Sequence, residues 1–227
     1  MSVKVIATIA AVLVGAAGAA SAATIDFDVN RGWSSAGQTY GDVTVTGGHV
    51  GRDGTILTNT SAVASWSGKM GGIGVCSGLI CTTGTAEWGS LFDQHTIDGK
   101  GAPEMAFLSF GSLDVQIDSV TLSYWGKSDE FDFASYASLA TGSKPISFTS
   151  DHDAEGDSPV KTFAFADGML TGSLFGFGAN FHDDAFKLKS VTYSEMPATA
   201  PVPLPAAGLM LLAALGGLGG MRRLRRG

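Results

Sequence analysis

Basic side chains are scarce in this sequence. Lys and Arg number 14 against 21 Asp and Glu, and five of the 14 (Lys4, Arg222, Arg223, Arg225 and Arg226) stand near the termini. Between Ala23 and Met196 nine basic residues face 21 acidic ones, a net charge of −12. A surface of that sign repels phosphate backbones, which argues against nucleic acid as a partner. Cysteine is nearly absent, with Cys76 and Cys81 alone. Two cysteines exclude a disulfide framework, and with His49, His95, His152 and His182 widely scattered they argue against a zinc centre. No stretch before the C-terminal tail has the 3.6-residue period of an amphipathic helix. Gly74-Val75-Cys76-Ser77-Gly78 is no nucleophile elbow, and nothing selects two of the carboxylates as a glycosidase acid and base. The sequence therefore nominates no catalytic residue.

Long apolar runs are also few, and both lie at the ends. Lys4, the apolar Val5 to Ala19 and the small Ala20-Ser21-Ala22 make the three parts of a secretory signal peptide over residues 1–22, with cleavage expected after Ala22 or Ala23. At the other end, residues 197–203 form a proline-containing linker, and Leu204 to Met221 is free of charge. At ~1.5 Å per residue that run gives ~27 Å of helix, just enough to cross a thin hydrocarbon core. Residues 222–227 supply a basic stop through Arg222, Arg223, Arg225 and Arg226, which stays cytoplasmic under the positive-inside rule. Everything before Pro201 is then expected on the far side of the membrane. In that oxidising setting a local Cys76–Cys81 disulfide is expected, contributing ~2 kcal/mol, enough to pin one loop. Gly216 and Gly220 have the spacing of a helix-pairing motif, a weak signal in so Gly/Ala-rich a run.

Val202-Pro203-Leu204-Pro205-Ala206, followed by a Gly/Ala/Leu-rich helix and an arginine cluster, resembles the VPLPA variant of the PEP-CTERM sorting signal of Gram-negative bacteria. Pro201, Pro203 and Pro205 force an extended segment just outside the membrane, of a kind that a processing enzyme can read. The resemblance implies an exosortase-type partner, a membrane anchor through the C-terminal helix during processing at the inner membrane, and a product at the cell surface or outside the cell. Such export often accompanies exopolysaccharide production.

The exported part, residues 23–196, is long enough for one domain with its own core. Its dominant period is two. Asp42 to Thr46, Ala106 to Phe110, Val115 to Ile117, Val120 to Tyr124 and Lys161 to Phe165 alternate apolar and polar residues, as strands with one wet face do. Gly47-Gly48, Asp53-Gly54, Gly71-Gly72, Asp98-Gly99 and Asp167-Gly168 read as turns between them. The fold class expected is all-β, an antiparallel, jelly-roll-like β-sandwich. The apolar phase slips between Ile117 and Val120, which predicts a β-bulge at Asp118-Ser119. Gly72 to Val75, Ile97-Asp98-Gly99 with Glu104, Val115 to Leu122, and Gly176 to Ala179 followed by Asp183 to Leu188 are similar to the ectodomain pattern of PEP-CTERM proteins, which implies a sandwich without established catalytic activity.

Carboxylates and tryptophans are the candidate binding groups. Asp151, Asp153, Glu155 and Asp157 run through a segment with oxygens at positions 1, 3 and 5 and Gly156 at 6, like the start of a calcium loop. Position 12 is Thr162 and no helices flank it, so an EF-hand is excluded while a looser calcium turn stays open, with Asp129, Glu130, Asp132, Asp183 and Asp184 as further ligands if loops converge. Asp98 and Glu104 suit either calcium or a cap on the Gly99-Lys100-Gly101 turn. Trp33, Trp66, Trp88 and Trp125 are candidate stacking surfaces for sugars. Trp125, out of phase with Val120, Leu122 and Tyr124, is expected to face outward, with Trp88 next. The resulting expectation is a non-enzymatic exported surface or extracellular-matrix protein associated with exopolysaccharide, the alternative being a calcium-assisted carbohydrate-binding module.

Overall fold

The computed structural model describes residues 21–76, 80–81, 92–93, 96–153, 158–180 and 183–196. The expected signal peptide up to residue 20, Trp88, Glu155, Asp157, the expected sorting motif Val202 to Ala206, the apolar run 204–221 and the four tail arginines lie outside these residues, as do the side chains of Cys81 and Asp153. The chain divides into two compact units after Glu195, and the strands described here belong to the first.

Among the described residues the regular structure is strand alone. In chain order the strands are β1 (Ala22–Asp26), β2 (Arg31–Ser34), β3 (Gln38–Tyr40), β4 (Val43–Val50), β5 (Ile56–Trp66), β6 (Gly72–Cys76), β7 (Ile80–Cys81), β8 (Phe92–Asp93) and β9 (Ile97–Asp98). They continue as β10 (Glu104–Ser109), β11 (Val115–Ser123), β12 (Glu130–Ser135), β13 (Ser147–Asp153), β14 (Val160–Ala164), β15 (Thr171–Gly172), β16 (Leu174–Ala179) and β17 (Ala185–Glu195). Apart from the short parallel β7–β8 pair, they form one antiparallel path, β13-β12-β16-β10-β4-β5-β6-β17-β11-β14, with β1 and β9 on β17, β15 on β11, β2 on β5 and β3 on β4.

This sheet curls into a half-barrel because β5 is long enough to serve both wings. Its first part ladders with β4 (Gly47↔Ser61) and its second part with β6 (Ala62↔Cys76 to Trp66↔Gly72). The ends of the path then meet, with the Phe163 ring of β14 lying 4.6 Å from Phe131 of β12 and 5.8 Å from His152 of β13. Between the wings lies the main core, which includes Leu108, Ile117, Val120, Leu122, Phe131, Phe177, Phe186 and Leu188. Alternation accounts for it: Val115, Ile117, Val120 and Leu122 of β11 point inward, and the predicted slip is present as a register shift at Asp118 between Ile117↔Tyr193 and Ser119↔Thr192.

The wing made by β4, β10, β16 and β12 carries a second, smaller cluster on its other face: Val50, Ile56, Met105, Phe107, Ala134, Tyr136 and Leu174, with Leu139 and Phe148 packed over it. Gly47-Gly48, expected as a turn, lies inside β4 instead. A Cβ at Gly48 would run into the Thr58 carbonyl and the Phe107 ring, so the glycine answers a close approach of β5 and not a reversal of direction.

Candidate functional site

The acidic residues named from the sequence are mostly occupied with backbone. Asp98 Oδ1 accepts from Lys100 N at 2.9 Å, which is the turn cap, and Glu104 Oε2 accepts from Asp98 N at 3.1 Å. Asp129 Oδ2 accepts from Gly126 N at 2.6 Å, Asp184 Oδ1 from Glu130 N at 2.9 Å, and Asp132 Oδ1 from Asp151 N at 3.1 Å. Asp132 is 2% exposed and its Oδ2 has no hydrogen-bond partner. Burial first, then the negative charges of Asp151, Asp184 and Glu130, push its carboxyl up to about 7 against the pull of the Asp151 N–H. Among the described residues no group of three or more His, Cys, Asp or Glu is arranged to hold a metal ion. Asp151 is exposed, at the start of the segment whose later carboxylates are not described. Cys76 is buried at the end of β6 and disulfide-bonded, and the sequence holds only one other cysteine, Cys81.

The tryptophans sort differently from expectation. Trp125 does not face outward: it is 4% exposed, with Phe163 at 5.3 Å, Phe186 at 5.9 Å and Phe131 at 6.2 Å. The reason lies one residue earlier. Tyr124 has φ of 61°, a left-handed conformation that interrupts the alternation of β11, turning Trp125 inward and leaving Tyr124 39% exposed.

Trp33 of β2 and Trp66 of β5 are half-buried and pack edge-to-face at 5.4 Å. Trp33 Nε1 has no acceptor. On β6, Gly72 stands opposite Trp66 and Gly74 opposite Ala64, while Ile73 pairs with Leu188 of β17. Phe186 and Leu188 fill the core, so Lys187 and Lys189 between and beyond them project to the other face. The Lys187 ammonium lies 4.8 Å from the Trp66 ring and 5.6 Å from the Tyr124 ring. Its Nζ donates to the Met70 carbonyl at 3.3 Å.

Lys187 is 4% exposed, and among the described residues no carboxylate stands within ion-pair distance of it. Burial lowers its pKa to about 8, so at neutral pH it remains mostly charged. Lys189, two residues on, is by contrast matched: its Nζ lies 2.7 Å from Asp28 Oδ2 and 2.9 Å from the Gly68 carbonyl. Lys69 is exposed between the two carbonyls that these lysines hold, whereas the Arg31 guanidinium of β2 lies 4.3 Å over the Tyr40 ring and donates to the Thr39 carbonyl at 2.6 Å, away from Trp66. Of these cations, Lys187 is the one placed against the Trp66 and Tyr124 rings. Sequence reasoning named the tryptophans and missed Lys187. Its only local signal was a lysine between two apolar residues of an alternating strand, which ordinarily marks a wet face. Compared with known proteins, the chain matches no family model, no curated protein and no solved structure.

Proposed function

We propose that this chain is a non-enzymatic surface or extracellular-matrix protein that associates with extracellular polysaccharide. In this reading it is exported by its signal peptide, held at the inner membrane by the C-terminal helix and processed there by an exosortase-type enzyme. The curled sheet is, in its finer description, a jelly-roll-like sandwich. The observation that carries the binding part is the cluster of Trp33, Trp66 and Tyr124 around Lys187 on one outer face. Flat apolar ring faces next to hydrogen-bond donors suit sugar rings, whose C–H faces stack while their hydroxyls bond at the edge. The carboxylates that turn toward backbone N–H groups support a structural role for the acidic residues. Co-sedimentation of the full chain, purified in detergent, with the exopolysaccharide of the producing cells tests the reading. Binding that Trp66→Ala weakens about tenfold, corresponding to one lost stacking contact of ~1.4 kcal/mol, is expected. Absence of binding overturns it.

A further inference from the structure

We infer that the bond cut on removal of the signal peptide, Ala22–Ala23, lies inside strand β1, and that pairing of β1 with β17 closes it to the processing enzyme. A chain cut before the two strands meet sheds its signal peptide, and a chain that folds first keeps it. The inference rests on the export part of the reading above and adds the order of its steps.

The place of the bond is the first argument. The small-residue pattern Ala20-Ser21-Ala22 ends at Ala22, and Ala22 is the first residue of β1, opposite Ser194 of β17, with Ala23 opposite Tyr193 and Thr24 opposite Thr192. The cut therefore falls within a laddered strand and not in a loop ahead of it, where nicking concentrates. What closes the bond is the second argument. Ser21, Ala22, Ala23 and Thr24 are all exposed, so burial of side chains does not shield them. The backbone does. Phe27 N donates to the Lys189 carbonyl at 2.9 Å, the register continues from there to Ala22, and Thr24 Oγ1 lies 3.0 Å from Thr192 Oγ1. An enzyme that reads an extended segment needs that backbone free, so its rate follows the population in which β1 has lifted away. The third argument is the anchoring of β1. Ile25 packs on the main core and Phe27, just beyond the strand, is fully buried in it, so lifting the strand works against side chains as well as hydrogen bonds. Hydrolysis breaks the Ala22–Ala23 C–N bond, with water giving its hydroxyl to the Ala22 carbonyl carbon and a proton to the Ala23 amine. Ala23 to Asp26 remain to pair with Tyr193 to Ser190, four of the five β1 positions, so the cut chain still completes the sheet.

The uncut full chain, purified in detergent, is incubated with a purified bacterial signal peptidase, and the new N-terminus is sequenced. The folded wild type is expected to be cut at least about tenfold more slowly than Ile25→Pro, which removes an N–H that the alternation from Phe27 turns toward β17. Whether that variant frees β1 alone or unfolds the sheet, its site is unpaired, so it serves as the open reference in both cases. Thr24→Cys/Thr192→Cys, whose parent hydroxyls touch, is expected to resist further when oxidised and to return to the wild-type rate in reductant, with the wild type in reductant as control. Equal rates for the wild type and Ile25→Pro, an oxidised double variant cut as fast as the reduced one, or a new N-terminus before Ala23 overturns the inference and leaves the export reading in place. Failure of both the wild type and Ile25→Pro to be cut overturns the export reading and the inference with it.

Discussion

Two outer faces of the curled sheet are filled in opposite ways. On the β10–β16–β12 wing, Gly176 and Gly178 leave room that Met105 and Tyr136 occupy; a Cβ at Gly176 would collide with the Met105 sulfur and the Tyr136 ring. Tyr136 Oη donates to the Gly54 carbonyl at 2.8 Å, and Leu139 and Phe148 pack over the cluster. On the β5–β6–β17 wing, a Cβ at Gly72 would meet the Leu188–Lys189 backbone, and the outer face carries a lysine and two half-buried tryptophans. Each face also buries an ionisable group. Asp132, whose strand partner is Gly178, is driven toward neutrality by burial and by Asp151, Asp184 and Glu130. Lys187 meets aromatic faces, with Lys69 and the Lys189–Asp28 pair beside it, and stays mostly charged at pH 7. One face thus carries a closed structural filling and the other a held charge.

The comparison breaks most severely on the filled side. Met105→Ala removes a fully buried side chain and is expected to destabilise the fold by about 3 kcal/mol in chemical denaturation, with polysaccharide binding unchanged. Asp132→Asn tests the acid of that face. Because the folded-state pKa of Asp132 is raised from 3.8 to about 7, its burial penalty is absent well below 3.8, grows between the two values and is full above 7. The wild type therefore loses stability across that window. The asparagine variant is expected to be more stable by about 2 kcal/mol near pH 8, an allowance for partial relaxation having been made, and to match the wild type near pH 3. A flat difference across pH would remove Asp132 from the explanation.

On the open side the expected effects are smaller in stability and larger in binding. Trp66→Ala is expected to cost about 1.5 kcal/mol in folding, as a half-buried ring should, together with the loss of polysaccharide affinity. Lys187→Met replaces an uncompensated charge by an apolar chain of similar length. It is expected to leave the melting temperature unchanged or raise it by a few degrees. The wild type offers an independent check: since the Lys187 pKa is lowered from 10.5 to about 8, its burial penalty is full at pH 7 and fades as pH rises from 8 toward 10.5, so stability rises over that window. Asp28→Asn, which breaks the partly exposed pair with Lys189, should change stability by under about 1 kcal/mol, less still in high salt.

Much of the sheet was legible because alternation is a local signal. The β11 pattern, its bulge at Asp118 and the last strand after Asp184 follow from residues a few positions apart. The misreadings arose where a distant segment or a single dihedral overrides the local signal. Gly47-Gly48 resembles a turn, and only the arrival of β5 shows why it is a strand. Trp125 was placed by extending the phase of β11 through Tyr124, whose positive φ breaks that phase. Lys187 looks like any solvent-facing lysine, because Trp66, which covers it, comes from a strand far earlier in the chain. Burial of a charge by a distant partner leaves no trace in the sequence around it.

The position of β17 has a consequence for timing. It is the last strand described, yet it pairs with β1, β6, β9 and β11 and so joins the first strand to the middle of the sheet. A chain that grows from its N-terminus must hold β1, β6 and β11 without their common neighbour until Ala185–Glu195 has arrived, which makes closure late and dominated by long-range pairing. The described sheet is closed by the last of its strands, and until then its interior is a surface.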